Sequence, residues 1–271
     1  MIQIPRLYAI VDTACFSTTL ELIAFAEELA AGGCTLLQYR NKSGNAREMV
    51  EKARVLKRRL DSHPNAAKGA ALGWGTHDEA DSAKDGTLGT SGAADALVRR
   101  LPPTILPGRG RPGLQSLNPP RTGASGAPNS VRLIMNDRAD LCLAAEFDGV
   151  HVGQDDLSPE AVRRVIGPER WLGISTHNAD QVREADATSA DYVAIGPVFS
   201  TSSKVKPDPV VGLDGVRRAR ELTRKPLVAI GGITRANAAA VIAAGADSVA
   251  VISDLLREPR KSAEEFLRIL R

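Results

Sequence analysis

Val131-Arg-Leu-Ile-Met-Asn-Asp-Arg138 and, after a short helical segment, Gly149-Val-His-Val-Gly-Gln-Asp-Asp156 decide how this chain is read. Two short apolar strands each run directly into carboxylates. In a parallel α/β protein the carboxyl ends of neighbouring strands share one face, where ligands bind. Asp137 and Asp156 are therefore expected at one mouth. Two hard oxygen ligands with no dedicated cage suit Mg²⁺, which keeps waters and takes further ligands from substrate phosphates. The competing reading makes each aspartate a helix N-cap. At this level both stand.

Outward from this stretch, strands alternate with helices in both directions. Strand Val131–Met135 precedes helix Ala139–Glu146, and strand Gly149–Val152 precedes helix Pro159–Ile166. Toward the C-terminus follow strands Trp171–Ser175, Tyr192–Gly196, Leu227–Ile230 and Ser248–Ile252, with helices Ala179–Ala187, Leu213–Leu222, Arg235–Ala244 and Ala263–Leu270. Toward the N-terminus stand strand Leu7–Val11, helix Thr18–Ala31 with its Gly32-Gly33 stop, strand Cys34–Arg40 and a basic amphipathic helix Asn45–Leu60. Eight units in about 200 residues predict a single (β/α)₈ TIM barrel near the small end of that class. A doubly wound sheet would want Gly-x-Gly-x-x-Gly after its first strand, and none is present.

The alternation is interrupted once. Residues 61–130 hold 11 of the 24 glycines and 8 of the 16 prolines and show no sustained periodicity, a composition expected to stay disordered. The expected division is therefore a barrel built from 1–60 and 131–271 with a Gly/Pro-rich insertion at 61–130 between helix 2 and strand 3. Acidic residues fill its first half and arginines its second; we read it as a tolerated spacer rather than a partner-binding arm. It falls on the amino-terminal face of the barrel, away from the chemistry.

A net charge of +3 gives no argument for nucleic acid or a membrane surface. No apolar run approaches the roughly 18 residues of a spanning helix, and the N-terminus carries no leader pattern. Cys15, Cys34 and Cys142 are odd in number and widely spaced, which indicates neither a disulfide framework nor a zinc site and favours a reducing cytoplasm. The sequence leaves the oligomeric state, a homo-oligomer included, open.

The strand ends carry the functional reading. Gln38, Arg40 and Lys42 alternate after strand 2, so all three can face one way; an amide, a guanidinium and an ammonium suit a diphosphate. Asn136 and Asp137 follow strand 3, and Gln154, Asp155 and Asp156 follow strand 4. Ser175-Thr176-His177 ends strand 5, where hydroxyls can bind phosphate or cap helix 5. The loop Gly196–Lys204 offers Thr201, Ser202, Ser203 and Lys204, the makings of a phosphate clamp. Gly231-Gly232 after strand 7 and Ile252-Ser253 after strand 8 stand where barrels often hold a phosphate on backbone N–H groups. Two phosphate stations and a metal pair suggest transfer from a diphosphate to a phosphorylated acceptor. His151 and His177 are the only plausible general bases, with a packed core position the competing reading for His151 and the start of helix 5 for His177.

Gln-Tyr-Arg-Asn-Lys (38–42), Met-Asn-Asp-Arg (135–138), Asp-Gly-Val-His-Val-Gly-Gln-Asp-Asp-Leu (148–157), Gly-Ile-Ser-Thr-His (173–177), Gly-Pro-Val-Phe-Ser-Thr-Ser-Ser-Lys (196–204) and Ala-Ile-Gly-Gly-Ile (229–233) together resemble the thiamine phosphate synthase family. The resemblance implies a transferase joining a hydroxymethylpyrimidine diphosphate to a thiazole phosphate, with diphosphate released. It implies that Gln38, Arg40, Lys42, Asn136, Ser175 and Lys204 bind the pyrimidine diphosphate, with Arg40, Lys42 and Lys204 neutralising the leaving group. By the same resemblance, Asp137 and Asp156 hold Mg²⁺. Thr201, Ser202, Ser203, Gly231 or Gly232, Ile252 and Ser253 take the thiazole phosphate. Where the family often has Glu-Asp this chain has Asp155-Asp156, which leaves Asp155 a role behind the metal. The rivals are a thiazole tautomerase-like isomerase and a catalytically silent phosphate-binding barrel.

Overall fold

The computed structural model describes residues 2–62, 130–201 and 208–271. Eight parallel strands close into a barrel in chain order, the last pairing back on the first. They are β1 (Leu7–Asp12), β2 (Leu36–Arg40), β3 (Arg132–Asn136), β4 (Gly149–Val152), β5 (Trp171–Thr176), β6 (Tyr192–Ile195), β7 (Leu227–Ile230) and β8 (Ser248–Val251). The helices between them are α1 (Thr19–Ala31), α2 (Ala46–Asp61), α3 (Ala139–Ala144), α4 (Pro159–Ile166), α5 (Ala179–Asp186), α6 (Gly212–Leu222), α7 (Ala238–Ala243) and α8 (Pro259–Ile269). This is the (β/α)₈ barrel that the alternation predicts.

The strands are buried on both sides, so they read as nearly continuous apolar runs. In β1, Leu7, Ala9 and Val11 pack outward among the helices while Tyr8 and Ile10 turn inward. Inside the barrel they meet Leu36, Ile134, Tyr192, Ala194, Val228 and Ala250. The outer core is larger, with Leu22, Ala26 and Leu29 of α1, Leu56 of α2 and Phe266 of α8 against the strands.

Two helix boundaries depart from expectation. The helix expected over Arg235–Ala244 starts only at Ala238, because the backbone N–H and the guanidinium of Arg235 are both drawn to Asp254 (2.8 and 3.0 Å). The last helix begins a turn earlier than Ala263, at Pro259, whose ring is pre-set for the first helical position. Helix α2 ends at Asp61 and β3 begins at Arg132, so the long connection leaves from and returns to the amino-terminal face. The expected disorder of the insertion, from residue 63 to 129, and the expected roles of Ser202, Ser203 and Lys204 lie outside the described residues.

That amino-terminal face carries a repeated device. Asp148 N donates to Leu133 O while its carboxylate accepts from Leu133 N, at 2.9 and 2.8 Å. Asp191 does the same to Leu172 (2.7 and 2.8 Å), and Asp247 to Leu227 (2.8 and 2.8 Å). Each aspartate fastens the first turn of an odd strand to the even strand that follows. Arg163 and Arg220 back two of them, each 2.7 Å from the carboxylate of Asp191 or Asp247.

Candidate active site

The opposite face opens into a cavity of about 570 Å³. Its floor is a chain of polar side chains that point inward from five strands. Gln38 Nε2 donates to Tyr8 Oη at 2.8 Å, Tyr8 Oη lies 3.1 Å from Tyr192 Oη, and Tyr192 Oη lies 3.1 Å from His151 Nδ1. The other imidazole nitrogen, Nε2, is 2.9 Å from Ser175 Oγ. Burial pushes the His151 pKa down to about 4, so the ring is neutral, and burial pushes both tyrosine hydroxyls up. Gly173 makes room for the stack: a Cβ there would stand 2.1 Å from Tyr192 Cζ and 2.4 Å from His151 Nδ1.

Above the floor the strand ends deliver charge. Arg40 contacts Asp12, whose carboxylate also accepts from Ala14 N at 3.1 Å. Lys42 Nζ lies 2.7 Å from Asp137 Oδ2. Asn136 is buried at the cavity wall, and its Nδ2 has no hydrogen-bond partner among the described residues, a donor left for a ligand. Asp137 takes a left-handed φ of 61° directly after β3, with its N–H on His151 O at 2.8 Å. Asp156 accepts from Gly153 N at 2.7 Å.

Neither aspartate caps a helix. Ser158 caps α4, and the cap position of α3 falls on Arg138 without a side-chain bond. Burial and the adjoining Asp137 carboxylate hold the Asp156 carboxyl above its ordinary range. Two carboxylates close enough to repel, offering only hard oxygen donors, fit a divalent cation such as Mg²⁺. Among the described residues no cluster of three or more His, Cys, Asp or Glu forms a metal cage, so any ion here shares its shell with other ligands.

The remaining strand ends close the cavity. His177 Nδ1 stands 2.6 Å from Gly196 O and 3.6 Å from Asp208 Oδ2, and its N–H donates to Gln181 Oε1. Asn178 caps α5, so the alternative that the strand 5 hydroxyls do so falls away; Thr176 Oγ1 donates to Ala194 O instead. His177 likewise precedes α5 rather than beginning it. Gly231 and Gly232 have φ of 101° and 63°, and a Cβ on them would meet Pro197 Cα at 2.6 Å and Ser200 O at 2.5 Å. The paired glycines thus let the loop after β6 lie on the loop after β7.

Of the described residues proposed from the strand ends, Gln38, Arg40, Lys42, Asn136, Asp137, Asp155, Asp156, Ser175, Thr201, Gly231, Gly232, Ile252 and Ser253 reach this one cavity, whereas the Thr176 hydroxyl is buried against Ala194 O and does not. Three residues escaped the sequence reading. Tyr8 and Tyr192 lie inside apolar strands, where the aromatic ring reads as core and only the strand phase reveals that it turns inward. Asp12 ends β1 as Asp137 follows β3, and the same strand-end signal would have found it.

The family model described as thiamine monophosphate synthase matches residues 123–255. The thiamine-phosphate synthase of Koribacter versatilis is 47% identical over 272 residues, covering 99% of this chain and 97% of that protein. That of a Roseiflexus species is 44% identical over 62% of this chain and 70% of its own length. Among solved structures, the thiamine phosphate pyrophosphorylase of Pyrococcus furiosus superposes with a TM-score of 0.66 at 25% identity, covering 98% of this chain and 95% of the other. Shared along nearly its whole length at this identity, the likeness shows that the chain belongs to the thiamine-phosphate synthase family.

Proposed function

We propose that this protein is a thiamine-phosphate synthase, a transferase that moves the hydroxymethylpyrimidine group from its diphosphate to thiazole phosphate and releases diphosphate. The observation that carries the reading is the thiamine-phosphate synthase relative that is 47% identical over 99% of this chain. The cavity supports it, with cations, an orphaned amide donor and a carboxylate pair around one volume. In the reaction that the resemblance implies, diphosphate leaves first and the thiazole nitrogen traps the pyrimidine cation. Such a step asks the protein to neutralise a leaving group and to hold two substrates in line.

Arg40 and Lys42 would meet the diphosphate, joined by Lys204, while Gln38, Asn136 and Ser175 would orient the pyrimidine substrate. Asp137 and Asp156 would hold Mg²⁺, which when bound supplies positive charge to the departing diphosphate. Lys42, 2.7 Å from Asp137, keeps a cation at the same spot. Thr201, Ser202, Ser203, Gly231 or Gly232, Ile252 and Ser253 would hold the thiazole phosphate on the far wall. His151, neutral and occupied at both nitrogens, is not a proton shuttle in this scheme. No observation favours the isomerase or the silent barrel. Small-molecule substrates, a cytoplasmic setting for the three free thiols and no nucleic-acid or membrane partner complete the reading.

Mixing the two phosphorylated substrates with the protein tests it. Thiamine phosphate should form with Mg²⁺, disappear with EDTA, and fall at least a hundredfold in Asp137→Ala. Coupling that survives EDTA in full would remove the metal from the scheme, and absence of coupling in wild type would end the synthase reading.

A further inference from the structure

The floor beneath the cavity contains three groups that the proposed chemistry leaves idle, Tyr8, Tyr192 and His151. Gln38, Tyr8, Tyr192, His151 and Ser175 come from β2, β1, β6, β4 and β5 and form one hydrogen-bonded chain. Gln38 Nε2 donates to Tyr8 Oη, while at each later bond either partner can donate, because a hydroxyl accepts as well as donates and the imidazole has two tautomers. In the order that continues the direction set by Gln38, Tyr8 gives its own proton to Tyr192. Tyr192 passes its proton to His151 Nδ1, which leaves the imidazole hydrogen on Nε2, facing Ser175 Oγ. Ser175 accepts there, so its own hydroxyl proton is free to turn into the cavity.

We propose that Tyr192 is a positioning residue: through His151 it fixes the imidazole tautomer that makes Ser175 a hydrogen-bond donor to the pyrimidine diphosphate. Tyr192 is fully buried and lies under the cavity lining, whereas Gln38, Tyr8, His151 and Ser175 all reach the lining. Its effect on a ligand must therefore pass through its neighbours. The ring packs directly on the bare backbone of Gly173, where no side chain intervenes. Burial keeps both phenols protonated, so the relay has its protons throughout the working range. The two ends of the chain, Gln38 and Ser175, are the floor groups assigned to the same substrate, so the relay would tie them into one oriented unit. The inference rests on the synthase reading and deepens it.

Tyr192→Phe tests it, since the variant keeps the packed ring and removes only the hydroxyl. We expect kcat/KM for the pyrimidine diphosphate to fall about tenfold while KM for thiazole phosphate stays within about twofold. In a Ser175→Ala background, where no donor remains to be oriented, adding Tyr192→Phe should cost less than about twofold. Equal losses in both backgrounds, losses shared by both substrates, or no loss at all would overturn the proposal. Calorimetric binding of the pyrimidine diphosphate alone to the same four proteins reads the coupling without turnover. Failure of wild type to form product would then count against the synthase reading, and additive binding losses against Tyr192. Unfolding midpoints of the variants separate a damaged fold from a lost relay.

Discussion

At Asp137 the backbone takes a left-handed turn that few side chains other than glycine, asparagine and aspartate accept. That turn lets a strand-end carboxylate face Lys42 and Asp156 at once. The strand-end residues were legible because an apolar run that stops at a charge marks both the end of a strand and the face it opens on. The floor relay was not, because Tyr8 and Tyr192 are 184 positions apart and meet only when the barrel closes. The cysteines show the same contrast between position and chemistry. Burial pushes the Cys34 thiol up to about 11 and Cys142 up to about 12 from an ordinary value of 9.0, while Cys15 is exposed. Unfolded thiols ionise from about pH 9, whereas the folded ones keep their protons. Stability is thus fully present below pH 9 and is lost as pH rises toward 11, by about 3 kcal/mol for Cys34. Denaturant unfolding at pH 8 and 10.5 checks this: the alkaline loss should shrink in Cys34→Ala, and an unchanged loss would show that other groups cause it.

Among elements, the strands were the easier part to read and the helix ends the harder. A strand buried on both faces announces itself by composition, but α7 loses its first turn to an ion pair with Asp254 that no local pattern encodes. The same pair links the loops after β7 and β8, whose ends carry Gly231-Gly232 and Ile252-Ser253. On the other face, the aspartate fasteners recur as Phe-Asp-Gly-Val, Ala-Asp-Tyr-Val and Ala-Asp-Ser-Val before β4, β6 and β8. A charged residue just before a strand reads as a turn, and only the structure shows its carboxylate spent on the preceding strand. Asp191→Ala leaves the Leu172 N–H without its acceptor and takes one of four from the Arg163 guanidinium, which keeps the carbonyls of Gly167, Arg170 and Ser189. We expect a loss of about 2–3 kcal/mol in unfolding free energy, with kcat/KM altered less than about threefold. A stability loss below about 0.5 kcal/mol would show the fastener to be ornamental.

For the whole molecule, the three fasteners join β3 to β4, β5 to β6 and β7 to β8, while the junctions β8–β1, β1–β2, β2–β3, β4–β5 and β6–β7 lack an aspartate of this kind among the described residues. The barrel in effect holds three two-strand staves with seams between them. The 70-residue span between Asp61 and Arg132, where this chain breaks the regular rhythm, falls on one of these seams. A seam is paired in register like any other junction but lacks the extra carboxylate bond, so added or removed sequence there should disturb a strand least. Replacing residues 63–129 by a short linker should leave product formation within about twofold, and for a flexible span the shorter loop should add about 2 kcal/mol of stability by loop closure alone. A flexible segment of the same length grafted at the α4–β5 seam, beside the open Gly167, should be tolerated equally. Grafted inside a stave, between α3 and Asp148, it should cost folding yield, and equal yields at both sites would dissolve the distinction. Seen this way, the molecule is three committed pairs with open joints between them, and the joints are where length can be added at least cost.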